Sequence, residues 1–157
     1  MSKLPIENVQ DYPRPPTVEP VHLRLRLLLG DEVVAQTDNA FRVLETHHAP
    51  TYYIPPRDVS ANLTEASGGS FCEWKGRATY WDVALGQHRA PRAAWSYAAP
   101  TARFAAIAGY LAFYATSMDA CFVGDERVIP QPGNFYGGWV TANLSGDIKG
   151  APGTEHW

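Results

Sequence analysis

With only two cysteines, Cys72 and Cys121, the chain cannot build the disulfide framework of a small secreted domain. It has no stretch approaching ~20 consecutive apolar residues, so no membrane-spanning helix is expected. Excess basic charge is missing too. The formal net charge of −3 leaves no electrostatic footprint for nucleic acid or an anionic membrane. Metal-ligand spacings of the His-x-His, His-Glu-x-x-His or Asp-x-Asp kind do not occur. Adjacent His47 and His48 would point to opposite faces of a strand, and could share one ion only at a turn. There is no phosphate-binding Gly-x-x-x-x-Gly-Lys-Ser/Thr loop and no Gly-x-Gly-x-x-Gly element. No apolar run follows Lys3, so no targeting leader is expected. These absences point to a cytoplasmic protein without nucleic-acid or membrane partners, and suggest no metal and no cofactor.

What the chain does contain is turn formers and rings. Thirteen Gly and thirteen Pro argue for many short strands joined by turns rather than long helices. A length of 157 residues suits one domain with a real core. Pro5, Pro13, Pro15, Pro16 and Pro20 mark residues 1–20 as a mobile or surface-draped arm, with a single domain over 21–157. Leu23, Leu25, Leu27 and Leu29 alternate before Gly30-Asp31-Glu32, which predicts a hairpin returning through Val33–Gln36. Phe41–Glu45 and Thr51–Ile54 read as strands. Asp58 is placed as the cap of a helical turn over Asp58–Leu63, and residues 101–114 as a helical turn to about Ala105 followed by a strand.

The richest stretch is Ser70–Trp81, which sets a thiol, cations, a carboxylate and aromatic rings side by side. Strand alternation there predicts Lys75, Arg77, Thr79 and Trp81 on one face, with Gly76, Ala78 and Tyr80 on the other. Cys72 and Lys75 form a Cys-x-x-Lys arrangement, in which an ammonium favours the thiolate. Equally, a free cysteine often serves as buried apolar filler. Glu45 falls inward in register with Phe41 and Val43, where a carboxylate needs a partner such as Lys75 or Arg77. Such a pair would suit a general acid or base, or merely tie two sheets together. The rings of Tyr53, Tyr80, Trp95, Tyr97 and Tyr114, together with Trp74, Trp81 and Tyr110, could line a cleft or simply fill the core. Gly137-Gly138 with Lys149 could cradle an anion or form closing turns.

Many ordered blocks resemble a bacterial family catalogued as domain of unknown function 427. They include Glu45-Thr46, Tyr52–Pro56, Asp58-Val59, Ser70–Gly76, Ala94–Tyr97, Ala112–Tyr114, Gly124–Glu126, Pro130–Gly133, Phe135–Trp139 and Lys149-Gly150. One departure is Asp147-Ile148, where the resemblance leads to Pro-Phe. The resemblance implies a mainly β fold of the β-tent type: two antiparallel sheets meeting along one edge, with one or two short helical turns. Relatives of that architecture carry zinc on paired Cys-x-x-Cys knuckles, which this chain lacks. Lys75 stands where a knuckle cysteine would be. The nucleotidyltransferase label sometimes attached to the family finds no clustered carboxylates to support it.

The expectation from residues and resemblance together is a small-molecule cleft. Glu45, Lys75 and Cys72 are the candidate catalytic groups, with Tyr53, Arg77, Tyr80, Trp95, Tyr97 and Tyr114 as candidate ligand contacts. A cofactor-independent acid–base enzyme, a ligand-binding or sensing module and a structural or partner-binding domain all remain open, as does a homodimer through exposed strand edges.

Overall fold

The computed structural model describes residues 4–72, 75–132, 136–151 and 154. The chain opens with β1 (Glu7–Asn8), a 3-10 turn at Val9–Asp11 and β2 (Thr17–Pro20). Next, β3 (Leu25–Leu29) and β4 (Glu32–Thr37) form the predicted hairpin, with Gly30 turning at φ 64. A second pair follows in β5 (Phe41–Leu44) and β6 (Thr51–Tyr53). The longest strands are β7 (Asn62–Cys72), β8 (Gly76–Leu85) and β9 (His88–Ser96). The second half adds β10 (Leu111–Phe113), β11 (Ala120–Val123), β12 (Glu126–Arg127) and β13 (Ile129–Pro130). Two short strands, β14 (Trp139–Val140) and β15 (Leu144–Ser145), close the series.

The fold is mainly β and built on antiparallel ladders. Two four-stranded sheets run β10-β9-β8-β7 and β12-β11-β3-β4, and a three-stranded sheet runs β2-β5-β6. Ile54 and Leu111 exchange backbone hydrogen bonds of 2.8 Å each, which carry the three-stranded sheet into β10. Alternation along β3 drives its assembly. Leu25, Leu27 and Leu29 are buried against Val34, Val83, Phe113 and Trp139, while Arg26 turns outward over the Phe122 ring. Each such leucine contributes roughly 1.5–3 kcal/mol. A second core of Val43, Tyr53, Tyr80, Trp95, Tyr97, Phe104 and Ile107 lies between β5–β6 and the long sheet. It forms the floor of the site.

Three expectations need correction. Residues 4–20 are not a mobile arm, because β2 pairs with β5, β1 pairs with β15, and Val9 and Tyr12 are buried. The prolines limit strand length there without preventing pairing, and Pro20 sits at a strand end where its missing N–H does little harm. Asp58 ends a 3-10 turn at Pro56–Asp58 rather than capping a helix, and Asn62 begins the long strand β7. Helical content is four 3-10 segments among the described residues, where one or two turns were expected. The turn after Thr101 runs from Ala102 to Ile107, and Leu111–Phe113 follow as the expected strand.

Candidate functional site

A cleft of about 320 Å³ opens between the end of β5, strand β6 and the β7–β10 sheet. Register places its walls. Tyr80 on β8 lies directly opposite Trp95 on β9, and Tyr97 follows on the same face two residues on. Val43 and Tyr53 supply the facing wall from β5 and β6. Cys72 reaches the cleft from the end of β7, and Tyr114 from just beyond β10. Trp95 packs on Tyr114 with ring centroids 4.5 Å apart and the planes tilted by 43°. The Tyr80 and Ser70 hydroxyls share a hydrogen bond of 3.0 Å. Burial pushes the Tyr53, Tyr97 and Tyr114 phenols above their ordinary range, so they remain protonated.

Glu45 lies one residue past β5, and its carboxylate is 3.9 Å from His48 Nε2. Among the described residues it makes no ion pair with Lys75 or Arg77. The side chain is 25% exposed, so the carboxylate opens to the cleft rather than being sealed in the core. His48 is the more constrained group. The Gln131 amide oxygen accepts from the Ala49 N–H at 3.2 Å, and its nitrogen donates to the Lys149 carbonyl at 3.0 Å. Backbone groups cannot exchange those roles, so the amide has one orientation. Its NH2 therefore faces His48 Nδ1, 3.1 Å away, and that nitrogen must accept. His48 is then the tautomer with its proton on Nε2, the side toward Glu45. Burial pushes its pKa down to about 4, helped by positive charge from Lys149, Lys75, Arg14 and His47. The imidazole is neutral at neutral pH.

Residues 17–124 match the family described as a domain of unknown function (DUF427). The chain belongs to that family. No curated protein matches its sequence. The matched segment holds Glu45, His48 and the rings of Tyr53, Tyr80, Trp95, Tyr97 and Tyr114 in the DUF427 cleft, whereas Gln131, Tyr136, Gly137, Gly138 and Lys149 lie beyond it.

Two ammonium groups line the DUF427 cleft without carboxylate partners among the described residues. Lys75 Nζ sits 5.8 Å from the Tyr97 ring centre and 5.6 Å from that of Phe104. Lys149 Nζ sits 5.6 Å over Tyr136, whose ring in turn meets His48 edge-on at 5.2 Å. A cation over a ring gains about 0.5–2 kcal/mol. A hydrogen bond to a charged partner is worth roughly 1.5–3 kcal/mol. The rings steady these charges without neutralising them.

Eight of the nine expected site residues thus reach one cleft: Glu45, Cys72, Lys75, Tyr53, Tyr80, Trp95, Tyr97 and Tyr114. Arg77 does not. It is exposed on the far side of β8, because Ala78 and Tyr80 take the inward positions. Lys75 escapes that alternation because it precedes Gly76, which turns the chain at φ 98 as the first residue of β8. Among the other rings considered, Trp81 bonds Ser96 away from the cleft and Tyr110 packs on Phe41. Trp74 lies outside the described residues.

Sequence reasoning missed the role of His48, weighing it only as a metal ligand, and passed over Gln131 and Tyr136. The signals were faint: a glutamine between two prolines, and a tyrosine before Gly137-Gly138. Those glycines are required. A Cβ on Gly137 would strike the Trp95 ring, and one on Gly138 would strike Gln131 Oε1 and the Ala49 carbonyl. The departure at Asp147-Ile148 leaves the site intact, since Asp147 meets His47 through its backbone carbonyl and Ile148 packs on the core of Val9, Tyr12 and Leu44.

Proposed function

We propose that this protein holds a small organic molecule in the aromatic cleft, with Glu45 as the proton-accepting group and no cofactor required. The observation that carries this reading is the convergence, on one cleft of ligand size, of ring walls and an ionisable carboxylate open to it. His48 supports it as a neutral neighbour whose Nε2 lies 3.9 Å from the Glu45 carboxylate. Cys72 belongs to the wall, partly buried among the rings. A cytoplasmic setting fits two cysteines that are both free. No helix among the described residues is long and apolar enough to cross a membrane.

A second reading, binding or sensing without turnover, is favoured by one observation. The Lys75 ammonium rests on rings, so the acid–base pair expected with Glu45 is not formed. A thermal-shift screen of metabolites tests the shared claim, because a compound binding the native state raises its melting temperature. Hits should lose their effect in Trp95→Ala, and hits that ignore that change overturn the cleft reading. Deuterium exchange from solvent into a bound hit then separates the two readings. Glu45→Gln should stop the exchange while binding persists if Glu45 moves a proton. Self-association belongs to the same proposal, using the β7 edge where Phe71 is 76% exposed. Sedimentation of wild type against Phe71→Lys checks it.

A further inference from the structure

We propose that the molecule held in this cleft is a small organic oxyanion, a carboxylate or phosphate ester on a flat apolar body, gripped by Lys75 and Lys149. The inference rests on the cleft reading above and names its ligand class.

Charge is the first argument. The charged side chains lining the cleft among the described residues are Lys75, Lys149 and Glu45, so the lining is net positive. Both lysines, with Arg14 and His47, act on His48 as positive neighbours, so their fields overlap at one place in the cleft. Like charges brought together in a partly desolvated hollow repel one another unless an anion joins them. Among the described residues no carboxylate pairs with Lys75 or Lys149. Glu7 and Glu19 are committed to Arg42, and Asp38 to Arg24.

Hydrogen-bonding direction is the second argument. Gln131 fixes His48 with its proton on Nε2, so the ring presents a donor toward the cleft side. The ammoniums only donate, whereas the protonated phenols of Tyr53, Tyr97 and Tyr114 can both donate and accept. Glu45 alone among the charged lining groups accepts. Two charged donors against one charged acceptor complement an oxyanion. The Trp95 and Tyr114 rings, packed on one another at 4.5 Å, give one apolar wall against which a planar body can lie. Glu45 then meets the one point where the ligand brings a donor or an acidic proton.

The test is an NMR titration of the intact protein with matched probes: benzoate against benzamide, indole-3-acetate against indole-3-acetamide, and phenyl phosphate as the phosphate arm. The acids should perturb amides along the cleft and bind roughly tenfold or more tightly than their amides. That preference should weaken with added salt. It should collapse in Lys75→Met/Lys149→Met, with each single variant in between. His48 should titrate at higher pH when the acid is bound, since an anion favours the imidazolium. Whether carboxylates or the phosphate bind better selects the source. Equal affinity for acids and amides would overturn the oxyanion inference and leave the cleft reading standing. Failure of every probe to perturb the cleft would overturn both. If the double variant does not fold, the salt dependence and the single variants decide.

Discussion

Arg42, the second residue of β5, and Glu45, just past its end, sit three residues apart in surroundings that differ in kind. Arg42 points to one face and is fully engaged. Its Nε donates to Glu19 at 2.6 Å, and its two terminal nitrogens donate to Glu7 at 3.1 and 2.9 Å. Tyr12 donates its hydroxyl to the same Glu7 at 2.5 Å. Burial works against both charges, yet the bonds outweigh it, holding Glu7 below and Arg42 above their ordinary values. This cluster stitches β1 and β2 to β5. On the other face, Glu45, His48, Lys75 and Lys149 share a cleft where positive charges rest on rings and one carboxylate stays open. Compensated charge holds a fold together, and uncompensated charge at a cleft is available to something that arrives.

The largest effect that would break this contrast lies at Arg42. Arg42→Met leaves Glu7 and Glu19 without their cation and should cost about 2–4 kcal/mol in urea unfolding. A loss near zero would remove the structural half of the comparison.

Acid should come next. His48 titrates at about 4 when folded and near 6.5 when unfolded, so the unfolded chain takes up the proton first as pH falls. Its contribution is complete above the unfolded value and declines between roughly pH 6.5 and 4, by on the order of 2–3 kcal/mol. His48→Gln should flatten that slope. Glu7, with its depressed value, adds a loss only at lower pH.

The cysteines sharpen the contrast between core and cleft. Cys121 is 2% exposed and burial pushes its thiol up to about 12, so Cys121→Ser should cost about 1–3 kcal/mol. A thiol reagent should label Cys72 in the native protein and reach Cys121 only on unfolding.

The smallest effect belongs to the lysines. Lys75→Met or Lys149→Met should leave the unfolding free energy within about 0.5 kcal/mol of wild type, or raise it slightly, because neither ends an ion pair. A loss above ~1 kcal/mol would move them to the structural side.

Where alternation was clean, the strands were legible. The leucines of β3, the Gly30 turn and the Thr51–Ile54 strand all follow from local pattern and turn chemistry. Strand β7 was not legible, because an exposed edge strand carrying Gly68-Gly69 and little apolar alternation looks like a loop. The same holds for β1 and β2, whose pairing rests on partners far along the chain. At the site, the aromatic blocks stood out in both composition and family resemblance. The orientation of Lys75 against Arg77 did not, since it depends on one backbone angle at Gly76.

Composition, turn residues and two-residue periodicity therefore decided on an all-β chain with its rings gathered in a few blocks, because those properties act between near neighbours. The neutral tautomer of His48 and the company of Lys75 with Lys149 were decided only by folding. His48 meets Gln131 across 83 residues of chain, and no local pattern encodes which polar groups remain once distant strands have taken theirs. Pairing is a property of the assembled structure, and so is the charge that pairing leaves over.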